Sequence, residues 1–166
     1  MTRVSFYFDG FNFYNGLKSQ SKKEPIWRKY YWMDIVKFCT GFLGVDQKLE
    51  AVKYFTADPI SIQQRKRHKT FFDVNRALNP AVFEIVQGKY YKKGISCLNC
   101  HTVFEHPEEK RTDVNLSVHL MADCAMDKSD VFVLVSADSD MIPIIQGIKK
   151  HFPTKKIKVY FPPSRS

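Results

Sequence analysis

Hydrophobic and polar positions follow two patterns along this chain. Some short runs are apolar nearly throughout, such as Val131-Phe132-Val133-Leu134-Val135 and Val4-Ser5-Phe6-Tyr7-Phe8, and these read as strands buried on both faces. Elsewhere apolar residues recur at helical spacing, as in Ile35, Val36, Phe38, Cys39 and Phe42, or Phe71, Phe72, Val74 and Leu78. The pattern predicts strands over 3–8, 48–56, 82–86, 131–135 and 156–161. It predicts helices over 12–19, 31–42, 61–78, 112–126 and 140–152, with a Lys-rich loop at 21–25. Asp58-Pro59, Asn79-Pro80 and Pro162-Pro163 act as stops. Strands alternating with helices imply an α/β fold with a parallel sheet and right-handed crossovers. Residues 88–110 break the rhythm and read as an excursion or hairpin inserted into a single domain of 1–166.

The two apolar runs end in the same way. The first stops at Asp9-Gly10-Phe11-Asn12, and the fourth stops at Ser136-Ala137-Asp138-Ser139-Asp140. Working sites of open α/β sheets lie beyond the C-terminal strand ends. Asp9 and Asp138 are therefore expected at the ends of adjacent central strands, with Asp140 two residues on and Asp113 arriving from the start of a different helix. Carboxylates gathered in this way repel one another unless a cation neutralises them. Mg²⁺ or Mn²⁺ is the expected partner, because both prefer carboxylate and water oxygens. Asn12 is placed to orient a water or a phosphate, and Ser136 to hydrogen-bond one of the following acidic pair. Each residue also has a purely structural reading: Asp9-Gly10 as a turn, and Asp113, Asp138 and Asp140 as helix-start residues.

Charge changes the picture of the substrate. The formal net charge is +9, which favours polyanions around an acidic site. Arg65-Lys66-Arg67-His68-Lys69 fan around a predicted helix, with Arg65 and Lys69 on one face. Lys89, Lys92 and Lys93 are interleaved with Tyr90 and Tyr91, a combination suited to phosphate contact and base stacking. Single-stranded RNA is the expected partner. No apolar run approaches the roughly 20 residues of a membrane span. The N-terminus enters a strand without an apolar leader, so the expected compartment is the cytoplasm. Cys39 and Cys124 fall in helical apolar patterns. Cys97-Leu98-Asn99-Cys100-His101, followed by His106, offers two thiols and two imidazoles. A structural Zn²⁺ on Cys97, Cys100, His101 and His106 competes with a reduced CxxC that merely closes a hairpin. A homodimer sharing ligands would also complete the zinc shell.

Three segments together resemble the NYN-domain proteins, the LabA-like branch of the PIN-like nucleases. They are Asp9-Gly10-Phe11-Asn12-Phe13-Tyr14, Lys110-Arg111-Thr112-Asp113-Val114-Asn115-Leu116, and Ser136-Ala137-Asp138-Ser139-Asp140-Met141-Ile142-Pro143. The resemblance covers nearly the whole chain. It implies a three-layer α/β/α sandwich around a mostly parallel five-stranded sheet, and a metal-dependent ribonuclease site. By position, the acidic residues of the family fall on Asp9, Asp113, Asp138 and Asp140, with Asn12 beside them. Relatives commonly carry Gly at the positions of Arg111 and Ala137, and often Asp at that of His119. Arg111 joins Arg65, Lys66, Lys69, Lys89, Tyr90, Lys92 and Lys93 as an expected nucleic-acid contact. The expected function is hydrolysis of RNA phosphodiesters, with a non-catalytic RNA-binding or regulatory module of the same fold as the alternative. A phosphatase of another α/β class is less consistent, because position 11 is Phe rather than a second Asp.

Overall fold

The computed structural model describes residues 1–164, apart from the side chains of Lys92, His106, Pro107 and Glu108. The five-stranded sheet has the order β3-β2-β1-β6-β7, and every pairing in it is parallel. Its strands are β1 (Thr2–Asp9), β2 (Gln47–Thr56), β3 (Phe83–Gln87), β6 (Val131–Val135) and β7 (Lys156–Tyr160). The helices are α1 (Gly10–Lys23), α2 (Ile35–Thr40), α3 (Ile62–Leu78), α4 (Thr112–Ala125) and α5 (Ile142–His151).

Alternation along the strands divides the core into two layers. Phe6, Phe8, Val131, Val133 and Val135 pack on one face with Phe13 and Leu17 of α1, Ile35 and Val36 of α2, and Phe72 of α3. Tyr7, Phe132 and Leu134 pack on the other with Leu116 and Leu120 of α4 and Ile148 of α5. Successive strand side chains point to opposite faces, so runs apolar at every position must be covered twice. The result is the three-layer α/β/α sandwich implied by the resemblance. Inside the second layer the Tyr7 hydroxyl donates to Asp123 at 2.6 Å, and Lys53 pairs with the same carboxylate at 2.6 Å. Burial and this carboxylate push the Tyr7 hydroxyl well above the usual phenol range.

Two expected elements differ. The loop expected at 21–25 shrinks to Glu24, because α1 runs on to Lys23 and a 3-10 segment starts at Pro25, with Ser21 buried and bonded to the Lys18 carbonyl at 2.9 Å. The single helix expected over 31–42 is instead a 3-10 segment (Pro25–Trp32) followed by the shorter α2. Asp34 separates them by capping α2, accepting from the Lys37 N–H at 3.0 Å. Residues 88–110 do form a hairpin, β4 (Lys89–Ser96) antiparallel to β5 (Val103–Lys110), which makes a separate two-stranded sheet.

At Gly10 the junction of β1 and α1 runs close against β2. A Cβ at this position would lie 2.5 Å from the Phe55 carbonyl oxygen and 2.5 Å from the Tyr54 ring. Gly10→Ala is expected to destabilise the fold by about 1–3 kcal/mol through overpacking. Urea unfolding checks this, and an unchanged midpoint would show that the strand end can shift to make room.

Candidate functional site

Parallel pairing of β1 with β6 aligns Phe8 with Val135, so Asp9 and Ser136 leave the sheet side by side. The Ser136 hydroxyl donates to Asp9 Oδ2 at 2.8 Å and accepts from the Asp138 N–H at 3.0 Å. Ser136 thus serves the Asp9 carboxylate and the Asp138 backbone, rather than the side chain of either acidic residue that follows it. Asp9 Oδ1 accepts from the Asn12 N–H at 3.0 Å, which makes Asp9 the N-cap of α1. Asn12 Oδ1 accepts from the Ala137 N–H at 3.2 Å, tying the start of α1 to the loop after β6. Asp138 caps the 3-10 turn Ser139–Met141, accepting from the Asp140 N–H at 2.9 Å. Asp9 and Asp138 therefore have capping roles alongside any chemical one, and Asp9 caps a helix rather than making the turn expected at Asp9-Gly10. Each carboxylate oxygen has two lone pairs, so a cap does not exhaust it.

These groups open onto a cleft of about 170 Å³. Asp9, Asn12, Asp113 and Asp138 line it together with Phe11, Asn15, Thr112 and Glu109. Four of the five expected residues meet there, and Asp140 stands exposed outside the lining. Glu109 was not expected. It comes from the end of β5, and its Oε1 accepts from the Thr112 N–H at 3.2 Å and from the Thr112 hydroxyl. Its only sequence signal is a position four residues before Asp113, which becomes meaningful once the hairpin is known to return to the mouth of the sheet.

The cluster is electrostatically strained. Asp9 is 4% exposed. Burial raises its carboxyl above the usual range, the Asn12 N–H and the Ser136 hydroxyl lower it, and Asp138 and Glu109 raise it again. Asp113 is pushed up to about 6, first by burial and then by the charges of Asp9, Glu109, Asp138 and Asp140. Asp140 thus acts on the cleft through its field without lining it. Among the described residues no three Asp, Glu, His or Cys side chains already stand close enough to one point to ligate an ion. The donor set fits a hard divalent cation by oxygen chemistry and by unbalanced charge.

The departures from the family pattern have separate physical accounts. Arg111 precedes α4 with φ 79° and ψ −12°, the left-handed region where glycine is at ease. A non-glycine residue costs roughly 1–2 kcal/mol there. The Arg111 guanidinium lies 5.7 Å from the Tyr91 ring centre, a contact worth about 0.5–1 kcal/mol at an exposed site that offsets part of this cost. Ala137 has no positive φ and keeps the backbone unstrained. His119 packs edge-on to Phe55 with ring centres 5.5 Å apart and does not line the cleft.

The basic residues expected to contact nucleic acid are dispersed. Arg65 donates to the Pro59 carbonyl at 3.1 Å and braces the loop before α3, while Lys69 pairs with Asp73. His68 turns inward, with Nε2 3.1 Å from the Thr56 hydroxyl and Nδ1 3.2 Å from Asp58. Lys66 is exposed on α3. Lys89 and Tyr90 begin β4, and Tyr90 meets Phe11 of the cleft edge-on at 5.8 Å. Lys93 lies on β4, and the Lys92 side chain falls outside the described residues. Cys97, Cys100 and His101 sit at the far end of the hairpin, and the His106 side chain is outside the described residues. Among the described residues no helix is long and apolar enough to cross a membrane.

Asp113 binds its proton more tightly in the fold than at its ordinary 3.8, so its ionisation costs stability. Its contribution is fully present below about pH 4 and is lost as pH rises through about 6. In EDTA, Asp113→Asn is expected to melt higher than wild type at pH 7–8 and to match it near pH 4. Thermal melts across that range check the sign, and a gap that does not depend on pH would remove Asp113 from the repelling cluster.

Comparison with known proteins gives the geometry a lineage. The chain is 28% identical over 178 residues to 6-hydroxy-3-succinoylpyridine 3-monooxygenase of Pseudomonas putida, with 90% of this chain aligned. It spans about half of that relative, 56% of its length. Among solved structures it resembles the crystal structure of a protein of unknown function from Vibrio parahaemolyticus, at a TM-score of 0.56 and 16% identity. That match covers 96% of this chain and 81% of the other, and at this identity it speaks to fold alone. The NYN domain family model matches residues 3–166, so this chain, with Asp9, Asp113 and Asp138 gathered at the strand ends of a parallel sheet, belongs to the NYN domain family within the PIN-like superfamily.

Proposed function

We propose that this protein is a divalent-metal-dependent ribonuclease. The observation that carries the reading is the convergence of Asp9, Asp113, Asp138 and Glu109 on one cleft of a net-basic chain. Asp9, Asp113 and Asp138 would hold Mg²⁺ or Mn²⁺, with Glu109 beside them. A bound cation would relieve their mutual repulsion and polarise the scissile phosphodiester.

The chain's own residues have distinct parts in this reading. Asn12 has its oxygen committed to the Ala137 N–H, which leaves its amide nitrogen to donate to a phosphate oxygen or to the attacking water. In hydrolysis the water oxygen adds to phosphorus, one P–O ester bond breaks, and the leaving oxygen takes up a proton. That proton comes from the attacking water. Phe11 and Tyr90 form an aromatic edge at the cleft on which a base can stack. Lys66, Lys89, Lys93 and Arg111 would contact the backbone around it, and a single strand can thread such a rim more readily than a duplex. In this reading the protein works in the cytoplasm.

The monooxygenase name of the Pseudomonas relative motivates a second reading, oxygenation of a small heteroaromatic acid. Net charge separates the two: a formal +9 adds nothing needed for one small acid and suits a polyanion.

Single-stranded RNA incubated with Mn²⁺ or Mg²⁺ is expected to be cut by wild type. Asp9→Asn and Asp138→Asn should each lose roughly 100-fold or more, beyond what outer-shell changes at metal sites cost. Excess EDTA should abolish cutting. Full cleavage in EDTA or in either variant overturns the proposal. Salt-dependent RNA binding without cleavage under any metal would point to the non-catalytic module instead.

A further inference from the structure

The β4–β5 hairpin forms its own two-stranded sheet beside the five-stranded one. A lone hairpin is marginal in water unless something fastens it. At its base the fastening is visible in Tyr90 against Phe11, Glu109 on Thr112 and Arg111 over Tyr91. At its outer end three apolar side chains are exposed among polar ones, with Leu98 93%, Val103 67% and Phe104 50% exposed.

Cys97 and Cys100 lie within that end, and both are free thiols. The Cys97 N–H donates to the Thr102 carbonyl at 3.0 Å, and the His101 N–H donates to the Cys97 carbonyl at 2.9 Å. His101 adopts φ 55°, the left-handed conformation that turns the chain back toward β5. Cys100 Sγ lies 3.4 Å from the Thr102 hydroxyl. One tight turn therefore carries two sulfurs at the exposed tip of the molecule.

Two thiolates are half of the tetrahedral shell that zinc takes. The chain does not supply the rest at this turn. His101 directly follows Cys100 and is poorly placed to reach the same ion. The His106 backbone pairs with Lys93, three pairs below Ser96 and Val103, or roughly 10 Å down the hairpin. Among the described residues no third Cys, His, Asp or Glu joins the pair.

We propose that Cys97 and Cys100 bind one Zn²⁺ jointly with the same two cysteines of a second copy, so that the chain dimerises through its hairpin tips. The four thiols lose their protons to solvent on binding, and the two copies cover each other's Leu98, Val103 and Phe104. This zinc is separate from the acidic cleft, and the proposal does not depend on ribonuclease activity.

The test uses the full chain purified without chelator or added zinc, with metal measured by elemental analysis and mass by light scattering. One zinc per two chains and a dimer mass are expected, with a shift to zinc-free monomer on adding a strong chelator. Cys97→Ser combined with Cys100→Ser should give the same monomer, with circular dichroism unchanged from wild type. Zinc-free wild-type protein, one zinc per monomer, or a dimer that survives both chelation and the double substitution would overturn the proposal. So would a mass two hydrogens lower per chain under non-reducing conditions, which would identify a disulfide.

Discussion

The parallel pairing of β1 with β6 is the constraint on which the rest of the site depends. Their register ends both strands at the same level, and the Ser136 hydroxyl then spans from one strand end to the carboxylate of the other at 2.8 Å. Everything at the cleft is built outward from this contact. Asp9 starts α1, Asn12 reaches back to Ala137, and Asp138 sets the turn into α5. The pairing is secure because the two strands are buried on both faces, with Phe8 and Phe132 inaccessible to solvent. A slip of one residue would move each of these side chains into the wrong layer.

That rigidity lets the fold keep carboxylates closer than they would settle by themselves. The resulting strain is visible in Asp113, whose proton affinity is raised by burial and by four neighbouring acids. A flexible loop would relax by moving the charges apart. Here Asp9 is buried and doubly hydrogen-bonded, and Glu109 is held by Thr112, so a cation or a proton is the remaining route to relief. Several of the basic residues are engaged in bracing, Arg65 at the Pro59 carbonyl and Lys69 at Asp73.

The inserted hairpin links two parts of the molecule that the chain order keeps apart. Its base contributes Glu109 to the cleft and packs Tyr90 against Phe11 of the lining, while its end carries the CxxC and exposed apolar residues. Arg111 lies where hairpin and helix join, in a left-handed backbone conformation that glycine would adopt at little cost.

The sequence by itself determined the sheet, the helices and the acidic positions at strand ends, because apolar runs and their abrupt polar stops reflect burial directly. Asp9, Asn12, Asp113 and Asp138 were legible for that reason, since each stands at a boundary between an apolar segment and a polar one. The same pattern misread residues 31–42, where apolar spacing alone cannot distinguish a 3-10 turn from an α-helix, and the cap at Asp34 decides. Glu109 was invisible because its part in the cleft arises from long-range packing of the hairpin against the start of α4. Asp140 reads on paper as a full member of the cluster, yet the 3-10 turn after Asp138 carries it outside the lining. Tertiary structure decided which carboxylates share one space, because distance across a sheet depends on strand order and register, and neither is written in the local pattern.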